Sequence, residues 1–349
     1  MRLEPIATPG PLRLVALPLA ALALTLVVAA GLVLAAGAAP LPVFGLIVTG
    51  AAGSEFAIVE TLTRATPLIF TGLAVAVAFR ARLWNIGAEA QLYIGAVTAV
   101  VLGTGATGLP APLLVPLVML AAMLAGGLTL LGPASLKTRF GVDEVVTTLL
   151  LNFIVLLFVS LLLEGPLKDP MALGWPRSEK IEAAAALPRL ITGKRLHWGF
   201  VIALVSAGLV WFVLARTVFG YEMRAVGHNA QAARFAGIRV ERVLLKTALL
   251  SGGLAGLAGY SEVAGLKGNL TLDLSPGYGY TGIVVAMLAL LNPLGVVVSA
   301  VFVAGIFVGA DAMSRSAGVP SYIAQVIVAT ALLSMVAALL FTRYRIRWR

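Results

Sequence analysis

Residues 220–240 read GYEMRAVGHNAQAARFAGIRV, a short, basic, alanine-rich stretch between two strongly apolar runs, WGFVIALVSAGLVWFVLA at 198–215 and VLLKTALLSGGLAGLAGY at 243–260. Apolar helices of about 20 residues cross roughly 30 Å of hydrocarbon, so the stretch joins two membrane spans. Asn229 has the side chain of a helix N-cap and Gly237 suits a C′ position, enclosing AQAARFAG, about two helical turns. Ala232, Ala233 and Ala236 would give this helix a small, closely approachable surface, with Phe235 as an anchor. Arg224, Arg234, Arg239 and Arg242 surround it with positive charge. A helix this short is unstable alone in water, so it has to dock. Its own protein, anionic lipid and a partner protein are all open as the surface it docks on.

Composition agrees with a polytopic helical membrane protein. Of 349 residues, 60% are hydrophobic and 11% charged, with a mean hydropathy of +1.02; soluble domains average about 45–50% apolar and about 25% charged. The apolar runs are continuous rather than alternating, which excludes a β-barrel. Absence of cysteine excludes disulfides, thiolate metal sites and a thiol nucleophile. His197 and His228 are too far apart in sequence to suggest a metal cluster. The net charge of +10 reads as cytoplasmic Lys and Arg rather than as a nucleic-acid surface. The first run, 14–36, is longer than a signal-peptide core and is expected to remain as a span, despite AGA at 36–38.

The expected fold is an all-α polytopic membrane protein, one domain over 1–349, with about ten transmembrane helices, some broken or short. The spans fall near 14–36, 57–79, 86–103, 113–132, 142–163, 199–216, 246–264, 281–293, 296–311 and 320–341. The segments 281–293 and 296–311 are expected as a tight pair of short helices around NPLG at 292–295. An inside N-terminus gathers most basic residues on one face, including Arg80, Arg82, Lys137, Arg139, Arg224, Arg234 and those after 342, so both termini are expected to be cytoplasmic. Residues 165–198 then form an extracytoplasmic loop, in which Ser178 is expected to N-cap a short helix ending near Pro188.

Several spans carry residues that a plain anchor would omit. Glu60 and Arg64 share a helical face, and Pro67 is expected to kink or break that helix. Asn85 and Glu89 share a face at i,i+4, with Gln91 pointing elsewhere; Asn85 is alternatively an N-cap, with Glu89 near the positive helix end. Asp143 and Glu144 suit a first turn, while Thr148 and Asn152 form a stripe that lines a path or bonds a neighbouring helix. Buried ionisable groups in a membrane cost on the order of 2.5 kcal/mol or more uncompensated, which makes them functional candidates. The glycine pairs Gly252/Gly256 and Gly305/Gly309 suit close helix packing.

Three stretches, LWNIGAEAQLYIGA at 83–96, GVDEVVTTLLLNFI at 141–154 and GYEMRAVGHNAQAARFAGIRVERV at 220–243, carry a resemblance. Together they resemble the membrane subunit of a bacterial ABC importer, in the family serving nucleosides and simple sugars, over roughly 56–311. The long outer loop resembles that of the longer permease of nucleoside uptake systems. Ala90 stands where that family usually has Gly. The resemblance implies a cytoplasmic coupling loop at 217–245, with Glu222, Arg224, Gly227, Asn229, Ala232, Ala233, Arg234 and Gly237 engaging a groove of separate ATP-binding subunits. It further implies a second homologous permease subunit, an extracytoplasmic substrate-binding (lipo)protein and a bacterial inner-membrane location. The permease would carry no catalytic residue, metal or cofactor, ATP and Mg being held by the partner. The sequence lacks the G-x-x-x-x-G-K-[ST] phosphate loop, in agreement. Asn85, Glu89, Asn152 and Phe153 are the candidate translocation path, with Phe70 and Phe79 as further candidates for stacking on a nucleobase. Other readings are a simple-sugar importer of ribose type, an ion-coupled secondary transporter using Glu60–Arg64 and Glu89, and a membrane scaffold.

Overall fold

The computed structural model describes residues 2–5, 11–105, 108–318, 320 and 322–347. A helix covers each of the ten apolar segments. In chain order the elements are β1 (Arg2–Pro5), α1 (Pro11–Ala35), α2 (Pro40–Ala52), α3 (Glu55–Arg80), α4 (Ala88–Gly103), α5 (Ala111–Phe140), α6 (Glu144–Glu164), α7 (Gly199–Arg216), α8 (Val218–His228), α9 (Ala230–Phe235), α10 (Val240–Glu262), α11 (Tyr278–Leu288), α12 (Pro293–Ala317), α13 (Tyr322–Arg343) and β2 (Tyr344–Arg347). Among the described residues six helices are long and apolar enough to cross a membrane, or seven if α1 and α2 form one bent span. Of the roughly ten expected, some of them broken or short, α4 and α11 are the shorter apolar helices.

The chain divides into two compact units, 1–61 with 302–349, and 62–301. In the first, α1 ends at left-handed Gly37, whose neighbour Ala38 donates to Val33 O at 3.1 Å. Pro40 then starts α2, turned by 110° from α1. This helix was not expected from the sequence. It packs on the second half of α12, where a Cβ on Gly309 would lie 2.2 Å from Ile47 O. Gly305 makes no such close approach. Val33, Val43, Ala310 and Met313 form the buried centre of this unit. An antiparallel pairing of β1 with β2 joins the two ends of the chain, a departure from the all-helical fold expected.

The second unit is built around α10. One glycine face of α10 lies against α5 and another against α4: a Cβ on Gly252 would meet Gly126 O at 2.3 Å, and one on Gly259 would meet Leu92 O at 1.8 Å. Small residues let these backbones touch, the packing expected for Gly252 and Gly256. Most of α3 and of the span Val240–Lys267 is buried within the protein, whereas α6 turns most of its apolar side chains outward. Pro67 does not break α3, which runs continuously to Arg80. Helix α5 reaches Phe140, beyond the expected end near 132, and stops where Gly141 turns left-handed.

The expected short pair at 281–311 is unequal, since α11 has 11 residues and α12 has 25. Between them Leu290 and Leu291 both take left-handed φ, 50° and 59°, which costs roughly 1–2 kcal/mol per residue. Asn292 Oδ1 then caps α12 by accepting from Leu294 N at 3.0 Å, in keeping with the NPLG signal.

In the 165–198 loop the helix expected from Ser178 does not form. A single 3-10 turn, Ala183–Ala185, follows Glu182. Ser178 instead pairs with Leu270, donating from its N to Leu270 O at 2.9 Å while its Oγ accepts from Leu270 N at 2.8 Å. Ladder-like pairing to the loop after α10 satisfies a backbone that a local helix would otherwise satisfy.

Candidate functional site

Residues 217–237 hold a pair of helices rather than one. Thr217 Oγ1 accepts from Gly220 N at 3.1 Å and starts α8. A Cβ on Gly220 would lie 2.3 Å from Val213 O, so α8 folds directly back on the end of α7. Arg224 donates to Leu214 O across the same corner, and Glu222 and Arg224 are both half-buried. Gly227 sits against α3, where a Cβ would lie 1.9 Å from Arg80 O.

Asn229 then caps α9 as expected, its Oδ1 accepting from Gln231 N and Ala232 N, each at 3.0 Å. At the other end Gly237 is left-handed, with Gly237 N donating to Arg234 O and Ile238 N to Ala233 O, both at 3.0 Å. This is the double-bonded C-terminal wrap that glycine favours. Arg234 pairs with Glu241 of α10. Ala233 is buried against the protein's own chain, since α9 lies on α8 and α10. The expected alanine surface is therefore split by helical phase: Ala232 and Ala236 are exposed with Phe235, and Ala233 faces inward. Phe235 is 97% exposed.

The second polar cluster is the break between α3 and α4. Arg82 is left-handed (φ 53°), and after Leu83, whose N still donates to Ala78 O of α3, the chain is non-helical up to α4 and leaves the N–H groups of Trp84 and Ile86 outside any helix. Helix α6 answers them with a stripe at i, i+4, i+8. Glu144 Oε1 accepts from Trp84 N at 3.2 Å, Thr148 Oγ1 from Ile86 N at 3.2 Å, and Asn152 Oδ1 from Ala90 N at 2.9 Å. Lys137 of α5 pairs with the same Glu144 and donates to Arg82 O. Inside a membrane such groups must be met by protein, and α6 does so.

Asn85 precedes α4 rather than belonging to it. Its Nδ2 donates to Gln91 Oε1 (2.9 Å) and Ser251 Oγ (3.0 Å), and its Oδ1 accepts from Gly87 N and Gln91 Nε2. Gln91 thus faces Asn85, contrary to the helical spacing, because that spacing applies only to residues within one helix. The N-cap position of α4 is Gly87. Glu89 reaches α11, its Oε2 accepting from Gly279 N at 2.6 Å at the positive end of that helix. Asn152 Nδ2 also donates to Ile86 O and to Tyr280 Oη, each at 3.0 Å.

Of the four path candidates, Asn85, Glu89 and Asn152 converge here, buried and hydrogen-bonded within the protein. Phe153 turns away and is 57% exposed. Phe70 is buried, and Phe79 makes an edge contact with Trp84 at 4.7 Å. Glu60 and Arg64 are both half-buried on α3. The sequence reading passed over Glu144, Thr217 and Tyr280 as bonding groups. An i, i+4, i+8 count from Asn152 would have found Glu144; Tyr280 carries no local signal.

Residues 57–341 match the family described as branched-chain amino acid transport system / permease component. The chain belongs to this permease family. Its relatives include ABC transporter permeases. The guanosine permease NupP of Bacillus subtilis is 36% identical, over 90% of this chain and 91% of its own. The glucose permease TsgB13 of Haloferax volcanii is 35% identical over 88% and 83%, and the nucleoside permease NupB of Lactococcus lactis 30% over 91% and 89%. The resemblance carried by the three motifs is thus that of an ABC transporter permease of the nucleoside and sugar type, a membrane-embedded protein whose relatives are permease components.

Proposed function

We propose that the chain is a permease subunit of an ATP-driven importer of nucleosides, working in the bacterial inner membrane with both termini and the 217–245 loop cytoplasmic. The observation that carries this reading is the outward face of α9. A capped helix of six residues, tied to its own protein on the Ala233 side, presents Ala232, Phe235 and Ala236 to solvent with a nearly bare aromatic ring. An exposed anchor of this kind suits insertion into a partner's groove. The partner is a separate ATP-binding subunit, which holds ATP and Mg, while this chain contributes motion rather than chemistry. Glu222, Arg224, Gly227, Asn229 and Gly237 shape the loop, Ala233 and Arg234 tie it down, and Ala232 and Phe235 contact the partner. A second permease subunit and an extracytoplasmic substrate-binding protein at the 165–198 loop complete the importer.

Asn85, Glu89 and Asn152 support the path by holding its broken helix together. Nucleosides are favoured as cargo by the guanosine and nucleoside permeases among the relatives. A simple sugar is the second reading, favoured by a glucose permease of nearly equal similarity.

The test is uptake of labelled guanosine, uridine, glucose and ribose by vesicles holding this chain with its partner subunits, with and without ATP. ATP-dependent nucleoside accumulation is expected. Sugar uptake without nucleoside uptake would change the cargo. Uptake that follows an ion gradient and ignores the ATPase would overturn the importer.

A further inference from the structure

Arg80, the last residue of α3, joins that helix to the turn between α11 and α12. Its guanidinium donates from Nε at 3.3 Å and from Nη2 at 3.1 Å to the carbonyl oxygen of Leu291. That oxygen belongs to the left-handed Leu290–Leu291 turn, where Leu290 N donates to Met287 O and Leu291 N to Ala286 O, wrapping the end of α11. A planar guanidinium can give two donors to one carbonyl in fixed orientation, which an ammonium cannot reproduce. On its other side the Arg80 backbone is what α8 touches, since Gly227 allows its helix to reach the Arg80 carbonyl at a distance that excludes a Cβ.

Helix α11 is held at its opposite end as well. Glu89 accepts from Gly279 N, and Asn152 donates to Tyr280 Oη. Gly282 lies flush on α3, where a Cβ would meet Thr71 Cβ at 2.7 Å. The short helix is therefore gripped near the broken α3–α4 segment at one end, and at the other by the residue that borders the coupling loop. Tyr280, part-exposed on α11, connects this helix to the polar cluster.

We propose that Arg80 is the positioning residue through which displacement of α8 moves the α11–α12 turn, and with it the Tyr280 end of α11. The inference rests on the coupling-loop reading above and adds the route by which that loop reaches the membrane interior. Three features converge on it: a two-donor clamp, a strained turn that needs a clamp, and a backbone contact that admits only glycine.

The experiment compares the parent with Arg80→Ala and Arg80→Lys in the complete complex with its ATPase, second permease and binding protein. It reads ATPase co-purification and the ATP hydrolysed per nucleoside or sugar molecule taken up. With Arg80→Ala, the ATPase is expected to stay bound while ATP used per transported molecule rises at least about fivefold; Arg80→Lys should recover part of the coupling. A parental ratio in Arg80→Ala overturns the proposal, as does loss of the ATPase, which would make Arg80 a docking or folding residue.

A second measurement stands apart from transport. The chain has no cysteine, so spin labels at Leu290→Cys and His228→Cys report one distance alone. That distance should stay narrow with and without ATP in the parent and broaden with Arg80→Ala. Broadening already present in the parent overturns the clamp. Failure of the wider reading is distinguishable, because it appears in the parent as ATP-independent uptake, before Arg80 is altered.

Discussion

At the scale of single residues, His197 has the most distinctive chemistry outside the spans. It is fully buried beside α7, where Nδ1 accepts from Gly199 N at 3.1 Å and Nε2 has no hydrogen-bond partner. It packs on the π-helical turn Val263–Lys267 that follows α10, since a Cβ on Gly265 would lie 2.2 Å from its Nδ1. Burial pushes its pKa down to about 4, because the imidazolium would lose hydration without gaining a counter-charge. The unfolded chain would titrate near 6.5 and so binds more protons between these values. The stability contributed by neutral His197 is full above about pH 6.5 and is lost as pH falls toward 4, by about 3 kcal/mol in all. The melting temperature of the detergent-purified protein should fall across that window. His197→Asn keeps an acceptor for Gly199 N and should flatten the decline; an unchanged pH slope would show that other groups carry it. None of this was legible in the sequence, where His197 was only an isolated histidine in a loop.

At the scale of elements, helix ends and helix contacts make separable predictions. Asn229 makes the two side-chain bonds that cap the N-terminus of a six-residue helix, so Asn229→Ala should cost about 1 kcal/mol locally. That is enough to fray α9, and ATPase co-purification should fall; Asn229→Asp should restore it. For docking itself, Phe235→Ala and Ala232→Arg are the informative changes, whereas Ala233→Arg would force a charge into the protein's own packing and test folding instead. The α10 seam gives a steric contrast. Gly259→Ala would push a methyl group onto Leu92 O and should destabilise by about 3 kcal/mol or more, read as thermal unfolding in detergent. Gly132→Ala on α5 meets nothing within 4 Å and should be neutral, or stabilising by up to about 1 kcal/mol from helix propensity. Element identity was largely legible because twenty-residue apolar runs have one solution in a membrane, and the α9 caps were legible because Asn229 and Gly237 are local signals. What escaped the sequence depended on contacts distant in the chain. Helix α2 exists against Gly309, and Ser178 answers Leu270 instead of capping; Gln91 meets Asn85, only six residues away, because Asn85 lies outside α4, which begins at Ala88. The inward face of Ala233 was hidden for the same reason.

At the scale of the whole molecule the question is where the energy for movement enters, and Glu89 decides between two answers. In an ion-coupled carrier a buried carboxylate such as Glu89 would take up and release the coupling ion, so losing its charge would end uphill uptake. In the structure Glu89 is committed to architecture: its Oε2 accepts from Gly279 N at the start of α11. A glutamine keeps an acceptor for Gly279 N and gives up the charge that faces the positive end of the helix. Loss of that helix-dipole interaction is of order 0.3–1 kcal/mol, so Glu89→Gln should lower ATP-driven uptake by no more than about fivefold. Initial rates measured with ATP at zero ion gradient, and again with an imposed gradient and no nucleotide, separate the cases. Retained uptake in the first condition and none in the second, for parent and variant alike, leaves α9 as the point where energy enters. Uptake by the parent on the gradient alone, abolished in Glu89→Gln, would assign the energy to the buried carboxylate and leave the exposed face of α9 without its proposed partner.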